Sequence, residues 1–270
     1  MTLEALEWYA GKHVVVAGGG GSGMGAAAAK LLWQAGAEVT VLDLREPDAR
    51  NGIVFDRVDL GDPDAIDAAV AGLGERVDAL FNCQGIAGSR EGTTAADVMR
   101  VNFLGVRHLT ERVLPLIPPG GAVASIASVG GLGWERRREA IDELLAAEDF
   151  GAGAEWVEAH SGDLLEQVFP RTYSFSKQAL IVWTMRRAVT AIERGVRVNC
   201  SSPGSTRTAM SVEFPDDGVE YISRPIGRES TPQEQAWPIV FLNSPAASYV
   251  NGANLVVDGG NAAARALGLL

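Results

Sequence analysis

The sequence predicts one α/β domain, a doubly wound parallel sheet of seven strands with helices on both faces. Three observations predict it. Short, apolar, β-branched runs alternate with helical patterns along the whole chain. The runs are nearly continuous in apolar residues, as strands buried on both faces require. The first run ends in a glycine cluster that opens directly into a helical pattern, a strand–turn–helix unit. At 270 residues, 47% of them hydrophobic, the chain fits a single domain spanning 1–270.

Strands are expected at Val14–Ala17, Val39–Leu42, Ile53–Val58, Val77–Cys83, Ala122–Ile126, Val196–Ser201 and Asn254–Val257, each bounded by Gly, Asp or Pro. Helices are expected at Met24–Ala35, Asp64–Leu73, Ala95–Leu114, Thr172–Ile192 and Pro232–Leu242. The alternation is that of a Rossmann-type sheet. One region, 133–169, is longer than a connection requires and helical in pattern. Trp134, Ile141, Leu144 and Leu145 suggest one amphipathic helix there. Trp156, Val157, Leu164, Leu165, Val168 and Phe169 suggest another. Their apolar faces need cover, over the mouth of a substrate cleft or against the helices at Ala95–Leu114 and Thr172–Ile192.

The net charge is 23 − 34 = −11, which argues against nucleic acid or an anionic membrane as partner. No apolar run has the length of a membrane span, and residues 1–12 carry no signal-like core, so a cytoplasmic protein is expected. Cys83 and Cys200 read as small buried hydrophobes. The three histidines are scattered without ligand spacing, and no metal is expected.

The glycine cluster runs from Gly18 to Gly25, with Gly19, Gly23 and Gly25 in a G-x-x-x-G-x-G spacing around Ser22 and Met24. Such a turn brings bare N–H groups and a helix N-terminus to a diphosphate. Asp43 ends the second strand, placed to accept both ribose hydroxyls of NAD and to repel the 2′-phosphate of NADP. Arg45 follows two residues later, where it could bind a phosphate instead. Tyr173 and Lys177, four apart, share one helix face. An ammonium beside a phenol favours the phenolate and fits it to exchange a proton with an alcohol or carbonyl oxygen. Ser128, after the fifth strand, lies at a carboxyl end of the sheet, where its hydroxyl could donate to a substrate oxygen. Ser22 is no hydrolase nucleophile, because Met24 stands where that motif needs glycine.

With these motifs the chain resembles the short-chain dehydrogenase/reductase (SDR) family over nearly all its length. The resemblance extends through Asp59-Leu60, Asn82-Cys83-Gln84-Gly85, Asn102 within Val101–Gly105, Pro203-Gly204 and Thr208, and the closing segment Tyr249–Gly260. It implies a proton relay with Tyr173 as acid/base, Ser128 positioning the substrate oxygen, and Lys177 lowering the tyrosine pKa while holding the nicotinamide ribose. Asn102 would bind a water linking Lys177 to solvent. The cofactor contacts it implies are Gly19, Ser22, Gly23, Met24, Gly25, Asp43, Asp59, Leu60, Asn82, Gly85, Tyr173, Lys177, Pro203, Gly204, Thr206 and Thr208, with NAD as cofactor. Two positions depart from the pattern: Gly18 replaces a usual Thr, and Gln84 a usual Ala.

The long spacing from Ser128 to Tyr173 and the segments after Lys177 and Asn243 resemble the bacterial 3α-hydroxysteroid dehydrogenase/carbonyl reductases and coniferyl-alcohol dehydrogenases. A bulky apolar alcohol or carbonyl substrate follows, held by Ser128 and Tyr173. Residues 205–230 are expected to form its loop, with Met210 and Phe214 as walls. A homodimer or homotetramer is expected. The competing classes are a non-catalytic NAD-binding redox-sensing regulator and an epimerase or dehydratase acting on nucleotide sugars.

Overall fold

Alternate residues of a buried strand serve opposite faces of its sheet, and here each face has its own helical cover. The structure, a computed structural model, describes residues 7–48, 52–162, 171–209 and 223–270. Its strands are β1 (His13–Ala17), β2 (Glu38–Asp43), β3 (Val54–Arg57), β4 (Ala79–Asn82), β5 (Ala122–Ile126), β6 (Arg197–Pro203) and β7 (Asn254–Val257). They form one seven-stranded sheet in the order β3-β2-β1-β4-β5-β6-β7, parallel at every pairing. The helices described are α1 (Met24–Gln34), α2 (Pro63–Ala71), α3 (Ala95–Met99), α4 (Gly105–Val113), α5 (Arg138–Ala146), α6 (Phe150–Ala159), α7 (Arg171–Ala191), α8 (Pro232–Asn243) and α9 (Asn261–Ala266).

Val14 and Val16 of β1 pack with Ala28 and Leu32 of α1 and Ile239 of α8. Val15 and Ala17 turn to the other face, against Ile66 of α2 and Leu109 and Val113 of α4. Strand order reverses at β1, whose neighbours are β2 and β4. In such sheets the crevice outside the carboxyl ends at the reversal is the ligand site. The segments leaving β1 and β4 therefore frame the place to look. Among the described residues no helix is long and apolar enough to cross a membrane.

Two expectations need correction. The helix expected over Ala95–Leu114 is interrupted by a π-helical turn, Arg100–Leu104, between α3 and α4. Two contacts from outside the helix accompany the change of winding. Asn102 reaches a distant backbone, and Gly105 passes so close to Leu60 that any Cβ would overlap its carbonyl. Strand ends also move: β4 starts at Ala79 rather than Val77, and β6 runs on to Pro203.

The described part of the long insert is a 3-10 turn (Trp134–Arg137) followed by α5 and α6. Ile141, Leu144, Phe150 and Val157 are buried with Met99, Phe103, Leu104, Phe175 and Ala179, so these helices lie against α3, the π turn and α7. Asp142 takes hydrogen bonds from Arg138 and from Arg186 of α7, both at 2.6 Å. Leu164, Leu165, Val168 and Phe169 lie outside the described residues.

Candidate active site

The glycine turn is built by close approach. Gly20 passes so near Arg45 that a Cβ would overlap the Arg45 carbonyl oxygen, and Gly18, at φ 76°, would drive one into the Gln84 backbone. Gly25 packs equally tightly on the Gly18 carbonyl oxygen. The turn leads into Gly23, which begins α1 without a capping side-chain bond, so the helix start keeps N–H groups to offer. Gly19 packs on Val41, Ser22 is exposed and Met24 is half-buried. Asp43 closes the other wall. Its Oδ2 accepts from Gly20 N at 2.8 Å and its Oδ1 from Arg45 N at 2.9 Å. The carboxylate is thus fixed beside the turn, with lone pairs left to accept more. A cradle of bare N–H groups at a helix start, next to a held carboxylate, fits the diphosphate and ribose of a dinucleotide.

The proposed chemistry sits beyond β5. Ser128 is extended and half-buried, and its Oγ accepts from Gly130 N at 3.1 Å. Tyr173, in the first turn of α7, hydrogen-bonds to Ser128 through its side chain. Burial raises the Tyr173 pKa above the ordinary phenol value, and the Ser128 hydrogen bond pulls it the other way. Lys177, one turn on, is 3% exposed and donates to the Ile126 carbonyl at 2.9 Å. Its ammonium lies 5.8 Å from the centre of the Tyr173 ring. Burial pushes its pKa down to about 8. The nearby thiols do not serve as counter-ions, because burial pushes Cys83 and Cys200 up to about 12. Lys177 is therefore a buried amine whose bond goes to a carbonyl.

Asn102 joins this group by a route the sequence did not show. Its Oδ1 accepts from Ile86 N at 2.8 Å, and its Nδ2 donates to Ile86 O at 3.0 Å and Ser176 Oγ at 3.2 Å. Ser176 in turn donates to the Tyr173 carbonyl at 2.7 Å. The amide thus clamps the loop after β4 to the start of α7, and both of its donor hydrogens are spent there. Its expected role of binding a water that links Lys177 to solvent would fall to the second lone pair of Oδ1. Ser176 was missed by sequence reading, although its place between Tyr173 and Lys177 was the available signal.

Asn82 ends β4 and is buried. Its Nδ2 donates to Thr110 Oγ1 at 2.9 Å and to Ser125 Oγ at 3.2 Å, so the side chain ties β4 to α4 and β5 inside the core. Gly85 runs between Asn102 and Lys177, 3.4 and 3.5 Å from where its Cβ would be. Asp59 is exposed and accepts from Gly61 N at 2.8 Å, while Leu60 is buried. Pro203 ends β6, and Gly204 packs on Asp258. Thr206 donates to Gly204 O at 3.1 Å and bonds Ser230 Oγ at 2.9 Å, and Thr208 is half-buried close by in sequence. Met210 and Phe214 lie outside the described residues. Among the described residues no three His, Cys, Asp or Glu side chains gather as metal ligands would.

Residues 12–137 match the family model for short chain dehydrogenases, and residues 161–262 match a model described as enoyl-(acyl carrier protein) reductase. The chain is 34% identical to the coniferyl-alcohol dehydrogenase of Pseudomonas sp. (strain HR199 / DSM 7063), with 92% of this chain and 96% of that protein covered. It is 33% identical to the 3-alpha-hydroxysteroid dehydrogenase/carbonyl reductase of Comamonas testosteroni, covering 92% and 95%. Among solved structures it is similar to the 3-alpha-hydroxysteroid dehydrogenase from Pseudomonas sp. B-0831 complexed with NADH. That likeness has a TM-score of 0.77 at 27% identity, over 94% of this chain and 99% of the other. The chain belongs to the short-chain dehydrogenase/reductase family of oxidoreductases, proteins that use a nicotinamide dinucleotide.

Proposed function

We propose that this protein is an NAD-dependent dehydrogenase that interconverts a bulky apolar alcohol, hydroxysteroid-like or aryl-allylic, and its ketone or aldehyde. The observation that carries the reading is the meeting of Ser128, Tyr173 and a buried, carboxylate-free Lys177 at the carboxyl end of β5. Relatives named for coniferyl alcohol and for 3-alpha-hydroxysteroids support the substrate class.

The dinucleotide, when bound, supplies the hydride acceptor or donor. The protein's own groups do the rest. The turn around Gly19, Ser22, Gly23, Met24 and Gly25 offers N–H groups to the diphosphate, and Asp43 accepts the ribose hydroxyls. That carboxylate would meet the 2′-phosphate of NADP with like charge, which favours NAD. Asp59, Leu60, Gly85, Pro203, Gly204, Thr206 and Thr208 line the remainder of the cofactor path. In alcohol oxidation Tyr173 takes the hydroxyl proton, and in reduction it returns one to the same oxygen. Ser128 holds that oxygen by hydrogen bonding, and Lys177 stabilises the phenolate while contacting the nicotinamide ribose. Asn102 and Ser176 fix the start of α7 so that these groups stay aligned.

Met210 and Phe214, within residues 205–230, are proposed to wall the substrate. Assembly as a homodimer or homotetramer is proposed through α8, β7 and the segment between them, where Phe241, Tyr249, Leu255 and Val256 are exposed, because the insert covers α3 and α7. A redox-sensing regulator without catalysis would have no use for a buried lysine beside a tyrosine.

The test is reduced-nicotinamide formation from NAD with steroid, terpene and aryl-allylic alcohols, run again with NADP. Turnover of at least one apolar alcohol, with NAD the better cofactor by kcat/KM, is expected. No turnover of any apolar alcohol or carbonyl, or a preference for NADP, would contradict the proposal.

A further inference from the structure

Gln84 has the placement of a ligand-binding group, and its side chain has no bond partner among the described residues. It follows β4 at the strand-order reversal, and its backbone packs on Gly18 at the start of the glycine turn. The next residue, Gly85, runs past Asn102 Oδ1 and Lys177 Nζ. Gln84 therefore stands between the diphosphate cradle and the proposed acid/base group. The residue is 5% exposed, yet among the described residues neither Oε1 nor Nε2 has a hydrogen-bond partner. Other buried amides nearby are tied at one end or both: Asn82 to Thr110 and Ser125, Asn102 to Ile86 and Ser176, and Asn243 to Leu80 O. Among the described residues only Gln84 has both the oxygen and the nitrogen of its amide sealed from solvent and unpaired.

Leaving one buried polar group without a bond costs about 1–3 kcal/mol, and an apolar side chain of the same shape would avoid that. Orphaned polar groups at a site are accounted for when the ligand brings their partners. An amide offers an acceptor and two donors, so the matching group both gives and takes a hydrogen bond. The diphosphate only accepts. A ribose hydroxyl does both.

We infer that the Gln84 amide hydrogen-bonds a ribose hydroxyl of the bound dinucleotide, making it a cofactor-affinity residue. The inference rests on the reading of the crevice as a nicotinamide dinucleotide site. Gly18 enters the same arrangement, because any side chain there would displace the Gln84 backbone.

The experiment compares wild type with Gln84→Met, which keeps the shape, and with Gln84→Ala. Two quantities are read: the melting temperature of the ligand-free protein, and the dissociation constant for reduced cofactor from nicotinamide fluorescence. Gln84→Met should melt at or above the wild-type temperature without ligand, since the unpaired amide is gone and the volume is kept, whereas Gln84→Ala also leaves a cavity and is read for affinity alone. Both should bind NADH roughly 3–10-fold more weakly, the worth of an ordinary neutral hydrogen bond. Dissociation constants within about twofold of wild type, or a ligand-free Gln84→Met that melts lower, overturn the inference and make Gln84 a structural residue. If wild type binds neither NADH nor NADPH, the cofactor reading itself fails, a result distinct from an unaltered variant.

Discussion

The two faces of α7 are built on opposite terms. Toward the insert, Phe175, Ala179 and Val182 meet Ile141, Leu144 and Val157 in a closely packed apolar layer, and Trp156 stacks on Phe175 with ring centres 5.9 Å apart. Unpaired polar atoms on that side among the described residues include the Trp156 indole nitrogen and one guanidinium nitrogen of Arg137, whose guanidinium lies 6.0 Å from the Phe175 ring centre. Toward the crevice, the same helix carries Tyr173 and Lys177, a phenol with a raised pKa and an amine lowered to about 8. Gln84, unpaired at both ends, belongs to that side as well. Stability is gathered on the first face, and groups that are costly to bury are gathered on the second. Active sites are where that cost is accepted, because shifted pKa values and unpaired donors become useful once a ligand arrives.

Lys177→Met should separate the two faces most sharply. Turnover is expected to fall roughly 10²-fold or more, as when a group supporting acid–base catalysis is lost. Stability should respond in the other direction at neutral pH. The folded pKa of about 8 lies below the ordinary 10.5, so across that window the unfolded chain binds more protons and wild-type stability rises with pH. Below pH 8 the penalty is present in full, on the order of 3 kcal/mol for a shift of this size. Denaturant unfolding from pH 7 to 11 should show this rise in wild type and not in the variant. An identical slope in both would show that Lys177 is not the buried, charge-averse group described.

On the insert face Leu144→Ala should cost about 2–5 kcal/mol, the usual range for truncating a fully buried leucine, with KM for the cofactor unchanged. A loss under about 1 kcal/mol would mean that α5 is not packed as part of the core. Asp43→Ala comes next, with an effect of about 1–3 kcal/mol on stability, because Gly20 N and Arg45 N lose their acceptor. The same change should narrow the gap in kcat/KM between NAD and NADP, and an unchanged ratio would remove Asp43 from cofactor choice. Asp142→Asn should be the mildest, below about 1 kcal/mol, since its pairs with Arg138 and Arg186 are largely solvated. Double-mutant cycles with Arg186→Met would expose any larger coupling.

What could be read from the sequence follows the distance over which each feature is specified. The seven strands, the glycine turn and the Tyr173–Lys177 pair depend on residues a few positions apart, so pattern and spacing reveal them. The π turn at Asn102 depends on the Ile86 backbone, and the Ser176 bridge depends on Asn102. Neither leaves a periodic trace. Asn82 illustrates the same limit from another side. Its motif marked it as near the cofactor, but only the fold shows its amide turned inward to Thr110 and Ser125. The apolar stripe of α5 announced that it must be covered, by a cleft mouth or by the helices at Ala95–Leu114 and Thr172–Ile192, and only the fold shows it packed on the latter.

Tyr173→Phe bears most directly on the proposal that the crevice face of α7 performs acid–base chemistry at a substrate oxygen. The change removes one hydroxyl, the one bonded to Ser128, and leaves the ring. Steady-state oxidation of the best apolar alcohol should be measured at saturating NAD, together with NADH affinity by fluorescence. The account predicts a loss of roughly 10²–10⁴-fold in kcat with the NADH dissociation constant nearly unchanged. A variant that keeps more than about half of the wild-type rate would contradict it.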